Sequence, residues 1–198
     1  MIVIGITGPT GAGKTTALRE LEKLGGVIID GDAVYHQLLE SNIALQMDLE
    51  DRFGDITDES GKIQRKKLGS IVFSDPEAMA ALNDITNPYI TAAVCARLEE
   101  AERAGCPAAA IDAIRLFESG LGDLCQVTLA ITAPAEVRIR RIMIREGIPE
   151  DYARARVQAQ NSDEFFTSRC SHTLVNDCAT GEAFAERARA LFRSILGC

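Results

Sequence analysis

The feature that most constrains the fold is a glycine-rich segment that directly follows an apolar run at the start of the chain. Gly8 to Thr15 spell G-x-x-x-x-G-K-T, and Met1 to Ile6 have the apolar character of a buried strand. Glycines permit a tight turn, and a helix that follows would direct its N-terminal backbone N–H groups at an anion. The segment therefore predicts a strand, a phosphate-binding loop (P-loop) and a helix in immediate succession.

The P-loop also predicts how ATP would be held. We expect Lys14 to reach the β- and γ-phosphates as a catalytic residue and the Thr15 hydroxyl to hold Mg²⁺. The predicted ATP-binding residues of the loop and the first helical turn are Gly8, Gly11, Ala12, Gly13, Lys14, Thr15 and Thr16. The predicted cofactors are accordingly ATP and Mg²⁺.

Composition limits the classes of partner. The chain has 198 residues and a net charge of -8, which argues against a nucleic-acid or acidic-membrane surface because either needs a broad basic patch. It lacks an apolar run of the roughly 20 residues that a membrane span needs, and its N-terminus lacks the basic region of a signal peptide. Six cysteines without a C-x-x-C pair fit reduced thiols. We expect a cytoplasmic protein, monomeric or weakly homo-oligomeric.

Apolar runs alternate with helical patterns, which is typical of a parallel sheet covered by helices on both faces. The predicted strands are Ile2 to Thr7, Gly26 to Ile29, Ala108 to Asp112, Val127 to Thr132 and His172 to Asn176. We expect an α/β fold, the three-layer sandwich of P-loop NTPases with five parallel strands. The predicted parts of this single domain are a core (about 1–31, 106–138 and 170–198), a helical acceptor-binding insertion (about 32–105) and a lid (about 139–169).

A helix predicted after Pro134 carries several arginines on one face. Arg138, Arg141 and Arg145 are spaced at i, i+3 and i+7, which places them together. An arginine-rich face is commonly just solvated. In a P-loop protein it can instead neutralise charge on a transferring phosphoryl group. Both interpretations remain open at the level of spacing.

Three aspartates follow predicted strands. Asp30 and Asp32 come at the end of the second strand, which we expect beside the P-loop strand, where a carboxylate could accept the proton of an attacking hydroxyl. Either residue could instead cap the next helix. Asp112 ends the third strand and could hold Mg²⁺ through water. We expect His36 on a helix surface and His172 at a strand edge. Neither is expected to be catalytic, because phosphoryl transfer needs no imidazole.

Several further motifs follow the P-loop in a particular order. They are Ile29-Asp30-Gly31-Asp32, Gln64 to Asp75, Leu82 to Ile90, Leu116 to Leu121, the arginine helix, Arg156 to Gln160 and Thr173 to Asn176. In this order, over nearly the whole chain, they resemble the dephospho-CoA kinase family. The P-loop alone is shared by many families, and the ordered set is far more specific.

The resemblance implies transfer of the ATP γ-phosphate to the ribose 3′-hydroxyl of dephospho-CoA, the last step of coenzyme A synthesis. By position, Asp32 matches the family's proposed general base and Arg65 a residue of the acceptor pocket. Arg141 matches the catalytic lid arginine that closes on the phosphates, and Asn176 a residue on the adenine side of ATP.

Asn87 and Glu118 also fall in acceptor-side motifs, and the chain departs from the family pattern near both. Asn87 stands where the family usually has His, and Ile114-Arg115 replaces Pro-Leu before Leu116-Phe117-Glu118. Arg115 is either a surface residue or an additional contact to acceptor phosphate. Pro9-Thr10 replaces a common Gly-Ile in the loop.

Two other functions remain compatible with the sequence. A kinase of another small acceptor, such as a nucleoside or nucleotide, would keep the P-loop, the lid and Asp32. A catalytically idle nucleotide-binding regulator would keep the P-loop alone. The chain has neither the N-K-x-D segment of GTPases nor the Leu-Ser-Gly-Gly-Gln-like segment of ABC ATPases.

Overall fold

The computed structural model describes all 198 residues as an α/β fold with five strands and nine α-helices. The strands are β1 (Ile2–Thr7), β2 (Val27–Asp30), β3 (Ala108–Asp112), β4 (Val127–Thr132) and β5 (His172–Val175). The helices are α1 (Lys14–Lys23), α2 (Gly31–Ser41), α3 (Ile43–Phe53), α4 (Arg65–Val72), α5 (Pro76–Arg103), α6 (Ala135–Glu146), α7 (Glu150–Gln158), α8 (Asp163–Thr167) and α9 (Gly181–Leu196). The five predicted strands are confirmed, two of them with ends that differ by one residue.

The strands form one parallel sheet in the order β2-β3-β1-β4-β5. The P-loop strand β1 is central and pairs in parallel with β3 and β4. The expectation that β2 lies beside β1 was wrong, because β3 is inserted between them. A parallel connection through a helix can pass over a strand position, and the chain returns after α5 to fill it. The carboxyl ends of β1, β3 and β4 therefore meet at the P-loop.

The chain divides into two compact units, residues 1–29 with 100–198, and residues 30–99. In the first unit, Ile4 and Ile6 of β1 are fully buried in a cluster that includes Leu21 of α1 and Phe184 and Phe192 of α9. Helices cover both faces of the parallel sheet, so the apolar side chains on both sides of β1 are buried. The core of the first unit fixes the strand that carries the P-loop.

The second unit has its own apolar core. Leu45 and Leu49 of α3 are fully buried in a cluster that also contains Leu68 of α4 and Leu82 of α5. Helix α5 continues through Pro88. No helix anywhere in the chain combines the length and apolar character needed to cross a bilayer.

Candidate active site

The P-loop adopts a conformation that requires glycine. Gly8 and Gly13 have φ angles of 142° and 110°, in the range that L side chains rarely adopt. A Cβ atom on Gly8 would collide with the backbone carbonyl oxygen of Ile131 in β4, and one on Gly13 with the side-chain amide of Asn176. Gly13 also precedes α1 and provides no side-chain cap, so the helix N-terminus is left to bind an anion.

Lys14 lies over this loop. Its Nζ donates to the carbonyl oxygen of Gly8 at 3.3 Å and lies 3.9 Å from Asp112 Oδ1. Both side chains are largely buried, which strengthens the attraction between the ammonium and the carboxylate. The loop carbonyl and Asp112 thus hold the Lys14 charge beside the glycine-rich turn.

A cleft of about 310 Å³ opens at the same place. Its walls include the P-loop together with residues from β3, the turn that follows β3, and α6. The lining residues are Pro9, Thr10, Gly11, Gly13, Lys14, Thr15, Asp112, Ile114, Arg141 and Arg145. Lys14, Arg141 and Asp112 place two cations and one carboxylate on one concave surface, as a polyphosphate with a bound cation would require, whereas the third cation, Arg145, is exposed.

Thr15 and Asp112 supply the oxygen ligands that Mg²⁺ prefers. A hydroxyl and one carboxylate line the cleft, and the chain has no cluster of three or more His, Cys, Asp or Glu side chains that could hold a metal. Mg²⁺ is commonly held by one or two protein ligands together with substrate phosphates and waters. The donor set therefore fits an ion that binds together with a nucleotide.

Arg141 of α6 is tied to the loop itself. Its Nη1 donates to the carbonyl oxygens of Gly11 at 3.1 Å and Ala12 at 3.3 Å, and its Nη2 donates to Asn176 Oδ1 at 3.1 Å. Burial lowers the pKa of the Arg141 guanidinium from its ordinary value. Arg141 lines the cleft, and these hydrogen bonds fix the orientation of its guanidinium group.

Asn176 completes the contact from the other side. It is buried at the end of β5, and its Nδ2 donates to the Ala12 carbonyl oxygen at 2.8 Å. Asn176 and Arg141 thus share Ala12 as an acceptor and bind each other. The structure brings Lys14, Arg141 and Asn176, three residues predicted from the sequence, together on the P-loop.

The solvated interpretation of the arginine face was wrong for Arg138. Only 5% of Arg138 is exposed, and its guanidinium donates to Thr10 and Gln160. Arg145, by contrast, is exposed and pairs with Glu146 at 2.8 Å. The surroundings of the arginines change along the helix: the first arginine of α6 lies against the loop, and the last lines the cleft with an exposed side chain.

Within the second unit, the two aspartates after β2 have different surroundings. Asp30 is the N-cap of α2, and its Oδ1 accepts from the backbone N–H of Ala33 at 3.0 Å. Asp32 lies in the first turn of α2 with an exposed side chain. The capping role therefore belongs to Asp30, and the Asp32 carboxylate has no part in that cap.

Arg65, at the start of α4, belongs to a small charged group. It contacts His36 Nδ1, and its Nη2 lies 3.6 Å from Glu40 Oε1. His36 is exposed on α2 and His172 is exposed on edge strand β5, which confirms both expectations. Asn87 is half-buried in α5. Arg65 and Asn87 both lie in the second unit with Asp32.

Glu118 lies in the turn that follows β3, in the first unit. It accepts from Arg169 Nη1 at 3.3 Å, and Arg115 of the same turn is exposed. The adjacent Leu116 is fully buried, and a Cβ atom on Gly5 would reach its Cδ2 at 2.7 Å. Leu116 therefore anchors this turn to β1 while Glu118 remains at the surface.

Sequence reasoning assigned no role to Gln160, whose side chain binds both the P-loop and Arg138. Its only signal was its place in the Arg156 to Gln160 motif. A lone glutamine after a polar helix has no periodicity or charge pattern that would indicate a partner 150 residues earlier.

A family model described as dephospho-CoA kinase matches residues 2–182 of this chain. The dephospho-CoA kinase of Dehalococcoides mccartyi is 38% identical over 179 residues, which is 90% of this chain and 90% of that protein. The dephospho-CoA kinase of Corynebacterium diphtheriae is 35% identical over 177 residues, 89% of this chain and 88% of the relative.

Two solved structures resemble this chain in fold. The crystal structure of TT1252 from Thermus thermophilus has a TM-score of 0.79 at 31% identity and covers 98% of this chain and 97% of its own. A shikimate kinase from Bacteroides thetaiotaomicron, with a TM-score of 0.54 at 17% identity, covers 100% of this chain and 99% of its own. At that identity the likeness shows the fold alone.

Proposed function

Because the chain belongs to the dephospho-CoA kinase family, we propose that it transfers the γ-phosphoryl group of ATP to the ribose 3′-hydroxyl of dephospho-CoA, which yields coenzyme A. The observation that carries the proposal is the cleft in which Lys14, Arg141 and Asp112 converge on a P-loop. Phosphoryl transfer depends mainly on positioning and on cations around the transferring group, and this cleft supplies both.

On this proposal, the P-loop and the N-terminus of α1 bind the phosphates through backbone N–H groups. Lys14 places a positive charge at the β- and γ-phosphates, and Arg141 neutralises charge that develops during transfer. Asn176 lies on the adenine side and braces Ala12 at the same time. Thr15 and Asp112 would hold Mg²⁺, and a bound Mg²⁺ would offset the negative charge of the phosphates.

Family membership supports the acceptor-side roles, which we propose for each residue separately. Asp32 accepts the proton of the attacking 3′-hydroxyl, since Asp30 is already used as the cap of α2. Arg65 and Asn87 bind the acceptor, and Glu118 contributes from the turn. Asn87 can donate and accept hydrogen bonds but cannot become positively charged as His can.

We also propose that the protein works in the cytoplasm as a monomer or weak homo-oligomer and does not bind nucleic acid. All six cysteines are free thiols in the structure, which agrees with a reducing compartment. The net charge of -8 agrees with local rather than general binding of polyphosphate.

Acceptor-dependent ADP formation tests the proposed function. Every assay contains purified protein, Mg²⁺ and ATP. The acceptor is dephospho-CoA, a nucleoside or a nucleoside monophosphate, and one assay contains no acceptor. We expect rapid ADP formation with dephospho-CoA only. Preference for a nucleoside or nucleotide would indicate a kinase of another acceptor, and ATP binding without turnover would indicate a regulator.

A further inference from the structure

Both backbone polar groups of Thr10 in the P-loop are bound by side chains from far along the chain. The Thr10 N–H donates to Gln160 Oε1 at 3.0 Å, and Arg138 Nε donates to the Thr10 carbonyl oxygen at 3.1 Å. Arg138 Nη2 donates to the same Gln160 Oε1 at 2.7 Å. These contacts close a ring of three residues, which we call the Thr10 ring.

The chemistry of the Thr10 ring requires an acceptor at position 160. A backbone N–H and a guanidinium can only donate, so the amide oxygen of Gln160 must face both of them. One side-chain oxygen therefore satisfies two donors, one of them charged. Charged donors form stronger hydrogen bonds than neutral ones. An apolar side chain at position 160 would therefore leave two donors without an acceptor, at a cost in free energy.

Arg138 is buried in a way that directs it to the loop. Its remaining Nη1 lies 3.5 Å from Asp163 Oδ1. A Cβ atom on Gly11 would lie 3.0 Å from the carbonyl oxygen of Arg138, so the backbone of α6 packs directly on the loop. The guanidinium is occupied by Thr10, Gln160 and Asp163, and Arg138 does not line the cleft as Arg141 does.

The Thr10 ring also joins the loop to both ends of one helical hairpin. Arg138 lies in the first turn of α6, and Gln160 comes two residues after the end of α7. Helices α6 and α7 pack on each other through Ile139, Ile142, Ala153 and Val157. The ring therefore fixes the base of this hairpin to the P-loop at a single residue.

We propose that Arg138 and Gln160 are positioning residues that hold the P-loop in its phosphate-binding conformation before ATP arrives. A loop with positive φ angles at Gly8, Gly11 and Gly13 has many alternative conformations when its backbone is not held. The apparent dissociation constant of a ligand is inversely proportional to the fraction of the protein that is in the binding-competent conformation. The inference rests on the proposed function only in that the loop binds ATP.

Direct measurement of ATP binding by calorimetry, without dephospho-CoA, tests this proposal. Gln160→Met keeps the length of the side chain and removes the acceptor, so we expect the Kd for ATP to rise about tenfold, equivalent to about 1.4 kcal/mol. The kcat at saturating ATP should change by less than about threefold, because bound phosphates then hold the loop. Gln160→Glu retains acceptor oxygens and should restore most of the affinity.

The matched control is Gln158→Met, an exposed glutamine at the end of α7. It should bind ATP as the unchanged protein does. Arg138→Met alone and together with Gln160→Met should give similar losses of affinity, because either change opens the same ring. The Gln160 variants are sufficient for the test where Arg138→Met lowers the yield of folded protein.

Three results would overturn the proposal: ATP affinity of Gln160→Met equal to that of Gln158→Met, a lowered Tm with no change in Kd, or no recovery in Gln160→Glu. Failure of the proposed function looks different. In that case the unchanged protein and its variants show the expected series of ATP affinities, while dephospho-CoA is not phosphorylated by any of them.

Discussion

At the scale of single residues, Lys14 bears most directly on phosphate chemistry. Lys14→Ala removes the charge that Asp112 and the Gly8 carbonyl direct over the loop. We expect kcat to fall about 100- to 1,000-fold, comparable to the loss of one preorganised donor. Arg19→Ala, an exposed cation on the same helix α1, should leave kcat unchanged. Steady-state kinetics measures both, and equal kcat values would place the reaction elsewhere.

Asp32 and Asp30 form a second matched pair of residues. Asp32→Asn removes proton acceptance but little else, so kcat should fall at least about tenfold with the Kd for ATP unchanged. Asp30→Asn should have little effect, since Asn caps a helix about as well as Asp. Kinetics and Tm are measured on both variants. Equal kcat losses, or a kcat loss explained by a lower Tm, would contradict the role of Asp32 as base.

At the scale of elements, helices α1 and α9 are joined by one buried carboxylate. Glu20 is 2% exposed and accepts from Lys23 at 2.6 Å and from Arg189 Nε at 2.8 Å. Glu20→Gln should lower stability by about 1 kcal/mol, because both cations are partly exposed and can be hydrated instead. For a chain of this size the Tm would fall by about 2 to 4 °C.

The contacts of Glu20 with Lys23 and Arg189 also predict that stability depends on pH. The hydrogen bond from Lys23 is the main cause of a lowered pKa of Glu20 in the folded protein; burial opposes it, and the contacts of Arg189 add to it. Its stabilisation is therefore complete above the ordinary carboxyl pKa and is lost as the pH falls through the lowered value. The Tm difference between the unchanged protein and Glu20→Gln should shrink as thermal scans move from neutral pH to below about 4. A constant difference would contradict this.

Helix α6 carries the last comparison at this scale. Arg141→Ala should lower kcat and kcat/KM together, and should also raise the Kd for ATP because Arg141 holds the carbonyls of Gly11 and Ala12. Arg145→Ala, exposed one turn further along, should change each of these by less than about threefold. Kinetics and calorimetry on both variants check this. If both variants behave like the unchanged protein, Arg141 is excluded from the phosphate site.

Elements were predictable where local patterns decide them. The strands β1, β3 and β4 are short apolar runs, and their predicted bounds were confirmed residue by residue. The order of the strands was not, because the insertion of β3 between β1 and β2 depends on packing over the whole chain. The burial of Arg138 was missed for the same reason, since spacing on a helix does not say what faces it.

At the scale of the whole molecule, the sequence predicted the P-loop and its partner residues Lys14, Arg141 and Asn176 because motif order carries long-range information. It did not predict the Thr10 ring, whose members are separated by 22 to 150 positions and depend on exact packing. The glycines of the P-loop permit its conformation locally. Side chains that are distant in sequence then stabilise the conformation in which the loop can bind phosphate.

The fate of the γ-phosphoryl group itself tests the proposed phosphorylation of dephospho-CoA. ATP labelled at the γ-phosphate is incubated with the protein, Mg²⁺ and either dephospho-CoA or an analogue that lacks the ribose 3′-hydroxyl, and the products are separated and weighed by mass spectrometry. We expect label in a product one phosphate heavier than dephospho-CoA and no label in the 3′-deoxy analogue. Equal labelling of both compounds, or label released only as inorganic phosphate, would contradict it.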